Sequence, residues 1–162
     1  MRLSETPNST RPGPLRLVQV GAGLMGEAWL GVISSSPDTE LVGLVDLDLD
    51  VARRAAERTG VDSAAIGRSL TDVLARATAD AVVNVTVPAA HRAVSVEALR
   101  AGLPVLSEKP LAESVAAGLS IVAAAELTGQ LLMVSQSRRY FRQLPAFRDQ
   151  IARIGPVGLV DC

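Results

Sequence analysis

The stretch Leu15 to Gly26, LRLVQVGAGLMG, constrains this chain more than any other, because an apolar run of strand character leads straight into glycines at 21, 23 and 26. The first glycine lets the backbone turn tightly at the strand end. The second leaves room for a phosphate to approach the main chain, and the third lets the following helix pack closely on the strand. A helix that starts here directs its unpaired N–H groups and the positive end of its dipole at an anion. A second apolar run, Leu41 to Val45, ends in Asp46, twenty residues beyond Gly26. With strand, glycines, helix and acid in this order, the segment reads as a dinucleotide-binding fingerprint: Gly21, Ala22, Gly23, Leu24, Met25 and Gly26 around a pyrophosphate, and Asp46 on a ribose diol. The plainer alternative is a glycine-rich turn followed by an acidic loop residue.

The rest of the chain alternates short aliphatic runs with amphipathic stretches, the pattern of an α/β, doubly wound parallel sheet of the Rossmann type. The spacing predicts a helix to about Ile33 and the strand Leu41 to Val45. A helix over Asp50 to Thr59, stopped by Gly60, follows, then a weak strand Ala64 to Ile66 and a short helix Thr71 to Arg76. Ala81 to Thr86 is apolar enough for a central strand buried on both faces. Beyond it come a helix His91 to Ala101 closed by Gly102, a strand Pro104 to Ser107, a helix with Val115, Gly118, Leu119, Val122 and Glu126 along one stripe, and a sixth strand Leu131 to Ser135.

Composition excludes several classes. Charged residues make up 20% of the 162-residue chain and the net charge is −1, so no basic field exists for nucleic acid or an anionic membrane. No apolar run reaches the length of a membrane span, and the expected setting is cytoplasmic. The one cysteine, Cys162, leaves no internal disulfide and no paired-thiolate metal site, and no metal is expected. The expected partner is a small molecule.

Three more segments fall just past predicted strand ends, where open parallel sheets bind ligands: Thr86 to His91, Glu108 to Pro110, and Gln136 to Tyr140. Taken together, GAGLMG, VDLD, NVTVPAAH, SEKPLAES and SQSRRY resemble the Gfo/Idh/MocA oxidoreductase family over about Leu15 to Val160. The resemblance implies a nicotinamide-binding domain at 15–140, preceded by a flexible tail at 1–14. At 141–162 it implies a linker helix and the opening strand of a second α/β substrate domain that is otherwise absent. It further implies NAD as cofactor, a sugar, polyol or related hydroxyl compound as substrate, and a homo-oligomeric parent.

Lys109 is the expected catalytic residue. An ammonium at a strand end beside the nicotinamide can hydrogen-bond a substrate hydroxyl and stabilise developing oxyanion character, as the family's lysine does, whereas the bland reading is a solvated lysine in a Lys-Pro turn. Thr86, Val87 and Pro88 border the nicotinamide half, with Val87 and Pro88 where the family more often has Pro and Asn. Glu108 faces the reacting carbon with Lys109. His91 is the only histidine, yet its place matches a family residue near the cofactor loop, so it is read as a helix-start residue packed there and not as a general base. Arg138, Arg139 and Tyr140 are either substrate contacts or a solvated hinge. Arg53 and Arg54 fall on a solvated helix face, and Asp46 would repel a 2′-phosphate, which favours NAD over NADP. Two other classes stay open, a non-catalytic NAD(H)-sensing regulator and a methyltransferase. The Glu108-Lys109-Pro110 triplet argues against the second.

Overall fold

The structure, a computed structural model, describes residues 13–60 and 65–155. The predicted strand at Pro156 to Val160, Cys162 and nearly all of the expected tail at 1–14 lie outside the described residues. Six strands form one parallel sheet in the order β3-β2-β1-β4-β5-β6. They are β1 (Leu15–Val20), β2 (Thr39–Val45), β3 (Ile66–Gly67), β4 (Ala81–Asn84), β5 (Val105–Ser107) and β6 (Leu132–Val134). The helices between them are α1 (Leu24–Ser35), α2 (Leu49–Thr59), α3 (Leu70–Leu74), α4 (Pro88–Arg100) and α5 (Val115–Thr128). After β6 come a 3-10 turn at Ser137–Tyr140 and α6 (Gln143–Ile154). The strand order reverses between β1 and β4, which opens a crevice at their C-terminal ends.

The helix ends follow from local chemistry. Asp48 caps α2 by accepting from the Asp50 and Val51 N–H groups, so the helix starts one residue earlier than the apolar pattern alone predicts, and Gly60 closes it in the left-handed region. Ser69 caps α3 and Ser114 caps α5 in the same manner. Pro88 occupies the first turn of α4, where its missing N–H costs nothing. Pro88 therefore belongs to a helix and not to the preceding loop. His91, expected at the helix start, lies a turn's length inside it.

The core is aliphatic and lies on both faces of the sheet. On one, Val18, Val20, Val82 and Val105 meet Leu70 and Val73 of α3, Ala98 and Leu99 of α4, and Ile121 and Ala124 of α5. On the other, Leu30, Leu44 and the alanines 52, 55 and 56 join α1 and α2 to the sheet. Gly43 and Gly67 let α3 approach closely, since a Cβ at either would collide with a Val73 methyl. One expectation is overturned on α5. Val115 and Leu119 of the predicted stripe are 81% and 64% exposed, while Ala117, Ile121 and Ala124 are buried. This helix is apolar on nearly every side, so its periodicity does not specify a buried face, and the small alanines win the close approach to the sheet. At the opposite end of the sheet from the crevice, Arg16 holds Asp80 through Nε at 3.1 Å and a terminal nitrogen at 2.9 Å.

Candidate active site

A groove of about 580 Å³ runs across the crevice, lined by Gly21, Gly23, Leu24, Met25, Val45, Asp46, Thr86 and Val87. Its shape originates in the glycine turn. Gly21 sits at φ +104°, and a Cβ there would come within 2.8 Å of the Val85 carbonyl oxygen. A Cβ on Gly26 would collide with the Gly21 carbonyl. Gly23, by contrast, has extended backbone and no atom within 4 Å of its would-be Cβ. Two of the three glycines are therefore required by the protein itself, while the third keeps open space over the groove.

The donors face that space. Gly23 caps α1 without a side chain, and the N–H groups of Gly23, Leu24, Met25 and Gly26 have no acceptor among the described residues. The Ala22 N–H is not among them, because it donates to Asp46 Oδ2 at 2.8 Å, and the Ala22 side chain is buried. Asp46 Oδ1 accepts from the Asp48 N–H at 2.9 Å. Both carboxylate oxygens are thus oriented by backbone donors, and each retains a lone pair for a hydroxyl. Open space at Gly23, four unpaired donors and a fixed carboxylate at the far end fit a dinucleotide.

Sequence reasoning passed over Gln19, which holds this loop in place. It is fully buried in β1, and its Nε2 donates to the carbonyls of Gly21 at 2.8 Å and Gly26 at 3.0 Å. Its Oε1 has no partner among the described residues. The signal was a polar residue inside an apolar strand, which must find partners when buried. Asn84, at the end of β4, gives the same signal. Its Oδ1 accepts from the Thr86 hydroxyl at 2.7 Å, and its Nδ2 donates to the His91 carbonyl and Ser95 Oγ. Arg68 and Ser69 also line the Asp46 end of the groove and were not expected there.

The Glu108-Lys109-Pro110 turn leaves β5 beside Asn84, with the Glu108 N–H donating to the Asn84 carbonyl at 2.8 Å. The Lys109–Pro110 bond is cis. Trp29 of α1 reaches the turn, its indole N–H donating to Glu108 Oε1 at 3.0 Å, and the Lys109 N–H donates to Glu108 Oε2 at 2.9 Å. Burial works to raise the Glu108 carboxyl. It is outweighed by the Trp29, Lys109 and Ser135 hydrogen bonds and the Lys109 charge, which hold the group below its ordinary value. The Lys109 side chain is exposed at the tip of the turn. Among the 16 lysine and arginine residues it is the only lysine. His91 is 1% exposed, with Nδ1 2.8 Å from the Pro110 carbonyl oxygen and Nε2 3.0 Å from that of Thr86. The ring is enclosed by backbone and offers no nitrogen to a substrate. Arg138, Arg139 and Tyr140 lie on the exposed 3-10 turn after β6.

A crevice at the point where a parallel sheet reverses its strand order, with a glycine turn before α1 and an acid after β2, defines the class of dinucleotide-binding domains. The profile of the Gfo/Idh/MocA oxidoreductase family, described by its NAD-binding Rossmann fold, matches residues 15–136, and the chain belongs to that family. An inositol 2-dehydrogenase of Rubrobacter xylanophilus is 32% identical over 147 residues, covering 86% of this chain and 41% of that protein. The WlbA dehydrogenase of Bordetella pertussis, solved with NADH and UDP-GlcNAcA, superposes with a TM-score of 0.79 at 30% identity over 87% of this chain and 40% of its own. A 3-ketoreductase of Actinomadura kijaniata, solved with NADP, gives 0.78 at 27% identity over 86% and 44%. The chain thus spans about two-fifths of the length of the relatives it matches. No helix among the described residues is long and apolar enough to cross a membrane.

Proposed function

We propose that this chain is the NAD-binding part of a dehydrogenase acting on a hydroxyl-bearing carbon of a sugar, polyol or related compound, with Lys109 as the group that holds the reacting oxygen. One observation carries the assignment: the sole lysine stands at the tip of a turn fixed on three sides, at the end of the strand beside the groove. A lysine ammonium can share or release a proton as an alkoxide develops, which a guanidinium cannot do. When bound, the nicotinamide supplies a hydride acceptor or donor. The residues of the chain bind and orient. The α1 donors take the pyrophosphate, Asp46 takes the adenosine ribose, and the Thr86 to Pro88 segment borders the nicotinamide. Glu108, its carboxyl held below the ordinary value with the help of the Trp29 hydrogen bond, keeps a negative charge next to Lys109. The enclosed His91 leaves the general base to a substrate domain beyond these elements.

Calorimetric titration with NADH, NADPH and S-adenosylmethionine tests the reading. NADH is expected to bind more tightly than NADPH, and S-adenosylmethionine not at all. Absence of NADH binding at millimolar concentration, or preference for S-adenosylmethionine, overturns it. Lys109→Met in a catalytically complete polypeptide should retain NADH binding while turnover falls at least a hundredfold, because an oxyanion stabiliser acts on the transition state.

A further inference from the structure

Two loops that come from different strands meet on one buried side chain. Thr86 follows β4 and lines the cofactor groove, while Pro110 follows Lys109 after β5. The His91 ring lies between their carbonyls, Nε2 toward Thr86 and Nδ1 toward Pro110, at 3.0 and 2.8 Å. Its own backbone is fixed, since its carbonyl accepts from Asn84 Nδ2 at 3.2 Å inside α4. Asn84 in turn accepts from the Thr86 hydroxyl, and its carbonyl accepts from the Glu108 N–H. A ring protonated on both nitrogens donates to both carbonyls, and each neutral tautomer donates to one. Thr86 and Pro110 therefore compete for, or share, the protons of a single imidazole that solvent does not reach.

We propose that His91 is a positioning residue that couples the cofactor loop to the lysine turn, so that a dinucleotide settling against Thr86 and Val87 adjusts the peptide carrying the Pro110 carbonyl, one residue from Lys109. This rests on the cofactor and lysine assignments proposed above. It differs from a purely structural role in one respect: the signal must pass through the ring. A buried leucine of similar bulk at 91 could fill the space but could not connect the two carbonyls.

The peptide groups concerned have their own reporters. The Thr86 carbonyl shares its peptide with the Val87 amide, and the Pro110 carbonyl shares its peptide with the Leu111 amide. The experiment records 1H–15N spectra of the chain with and without saturating NADH, for wild type, His91→Leu and His91→Gln. In wild type both the Val87 and Leu111 resonances should move. In the variants Val87 should still move while the Leu111 displacement falls at least threefold. An undiminished Leu111 displacement in the variants, or a wild-type response confined to Val87, overturns the coupling while leaving the cofactor assignment intact. No NADH-dependent change at any resonance overturns the cofactor assignment and the coupling with it. Should neither variant fold, the wild-type ring decides. As the only histidine, its ring 15N signals are unambiguous, and they must shift with NADH. A ring unchanged by saturating NADH refutes the proposal.

Discussion

The three glycines of the turn have separable duties, which gives a prediction that distinguishes fold from binding. In Gly26→Ala the new Cβ collides with the Gly21 carbonyl oxygen and lies 2.9 Å from its carbon, against 3.4–4 Å for ordinary contact. The turn must open by about an ångström to bring the oxygen to ordinary contact. It cannot do so freely, because Gln19 Nε2 grips the Gly21 and Gly26 carbonyls from beneath. Overpacking of this kind costs about 1–3 kcal/mol, and weakening the Gln19 bonds adds about 1 kcal/mol. Alanine returns up to about 1 kcal/mol of helix propensity. The net loss is about 1–4 kcal/mol, or about 2–16 °C in melting temperature for a domain of this size. In Gly23→Ala the methyl meets open space at φ −69°, a value any residue adopts. The poorer cap costs about 0.5–1 kcal/mol and the stiffer unfolded chain returns about as much, so stability should stay within about 1 kcal/mol of wild type. The same methyl stands where a phosphate must approach, so NADH affinity should fall more than tenfold, about 1.4 kcal/mol or greater. Urea denaturation and NADH fluorescence titration on both variants provide the measurement. A Gly23→Ala protein that binds NADH as wild type does, or one destabilised as much as Gly26→Ala, refutes the division of roles.

Three further outcomes follow from the same geometry. Trp29→Phe removes an N–H that holds the Glu108 carboxyl down, so its titration, read by 13C NMR, should move up toward the ordinary 4.5. A depressed carboxyl stabilises the fold above its unfolded value and loses that contribution as pH falls through the folded one, so the stability gap between wild type and variant should narrow below about pH 4.5; a gap that is the same at pH 7 and pH 3 contradicts this. Asp46→Ala should weaken NAD binding by about 1–3 kcal/mol and relax discrimination against NADP, measured by paired titrations; unchanged affinities for both remove Asp46 from the site. On α5, Leu119→Glu should change the urea midpoint by less than about 0.5 kcal/mol equivalent, whereas Ile121→Ala should cost about 2–5 kcal/mol, and a reversal of that order would place the buried face wrongly.

The glycine turn, the alternation of strands and helices and the acid after β2 were legible because each is a local signal: a residue without a Cβ, an aliphatic run, a carboxylate at a strand end. What escaped was buried and polar. Gln19 and Asn84 read as interruptions of apolar strands, and only the fold reveals that one pins the glycine turn while the other knots two loops together. Trp29 carries no short-range signal of what it does. Its tie to Glu108 spans 79 positions, a separation no spacing rule covers. His91 was expected at a helix start because its position was read from the strand end. Pro88, able to start a helix, moved α4 upstream and carried the imidazole inward. The α5 stripe failed for the opposite reason, since too many apolar residues leave period without phase.

Trp29 is also the only tryptophan in the chain. Its indole spans the gap between α1 and the turn that carries the lysine, so the molecule has a built-in optical gauge at that gap. Tryptophan emits where reduced nicotinamide absorbs, and a cofactor in the crevice should therefore quench it by energy transfer without any label. During unfolding the same emission records the parting of α1 from the β5 turn, while circular dichroism records the helices as a whole. If the two curves diverge, this edge of the site opens before the sheet dissolves; if they coincide, the seam is as durable as the fold.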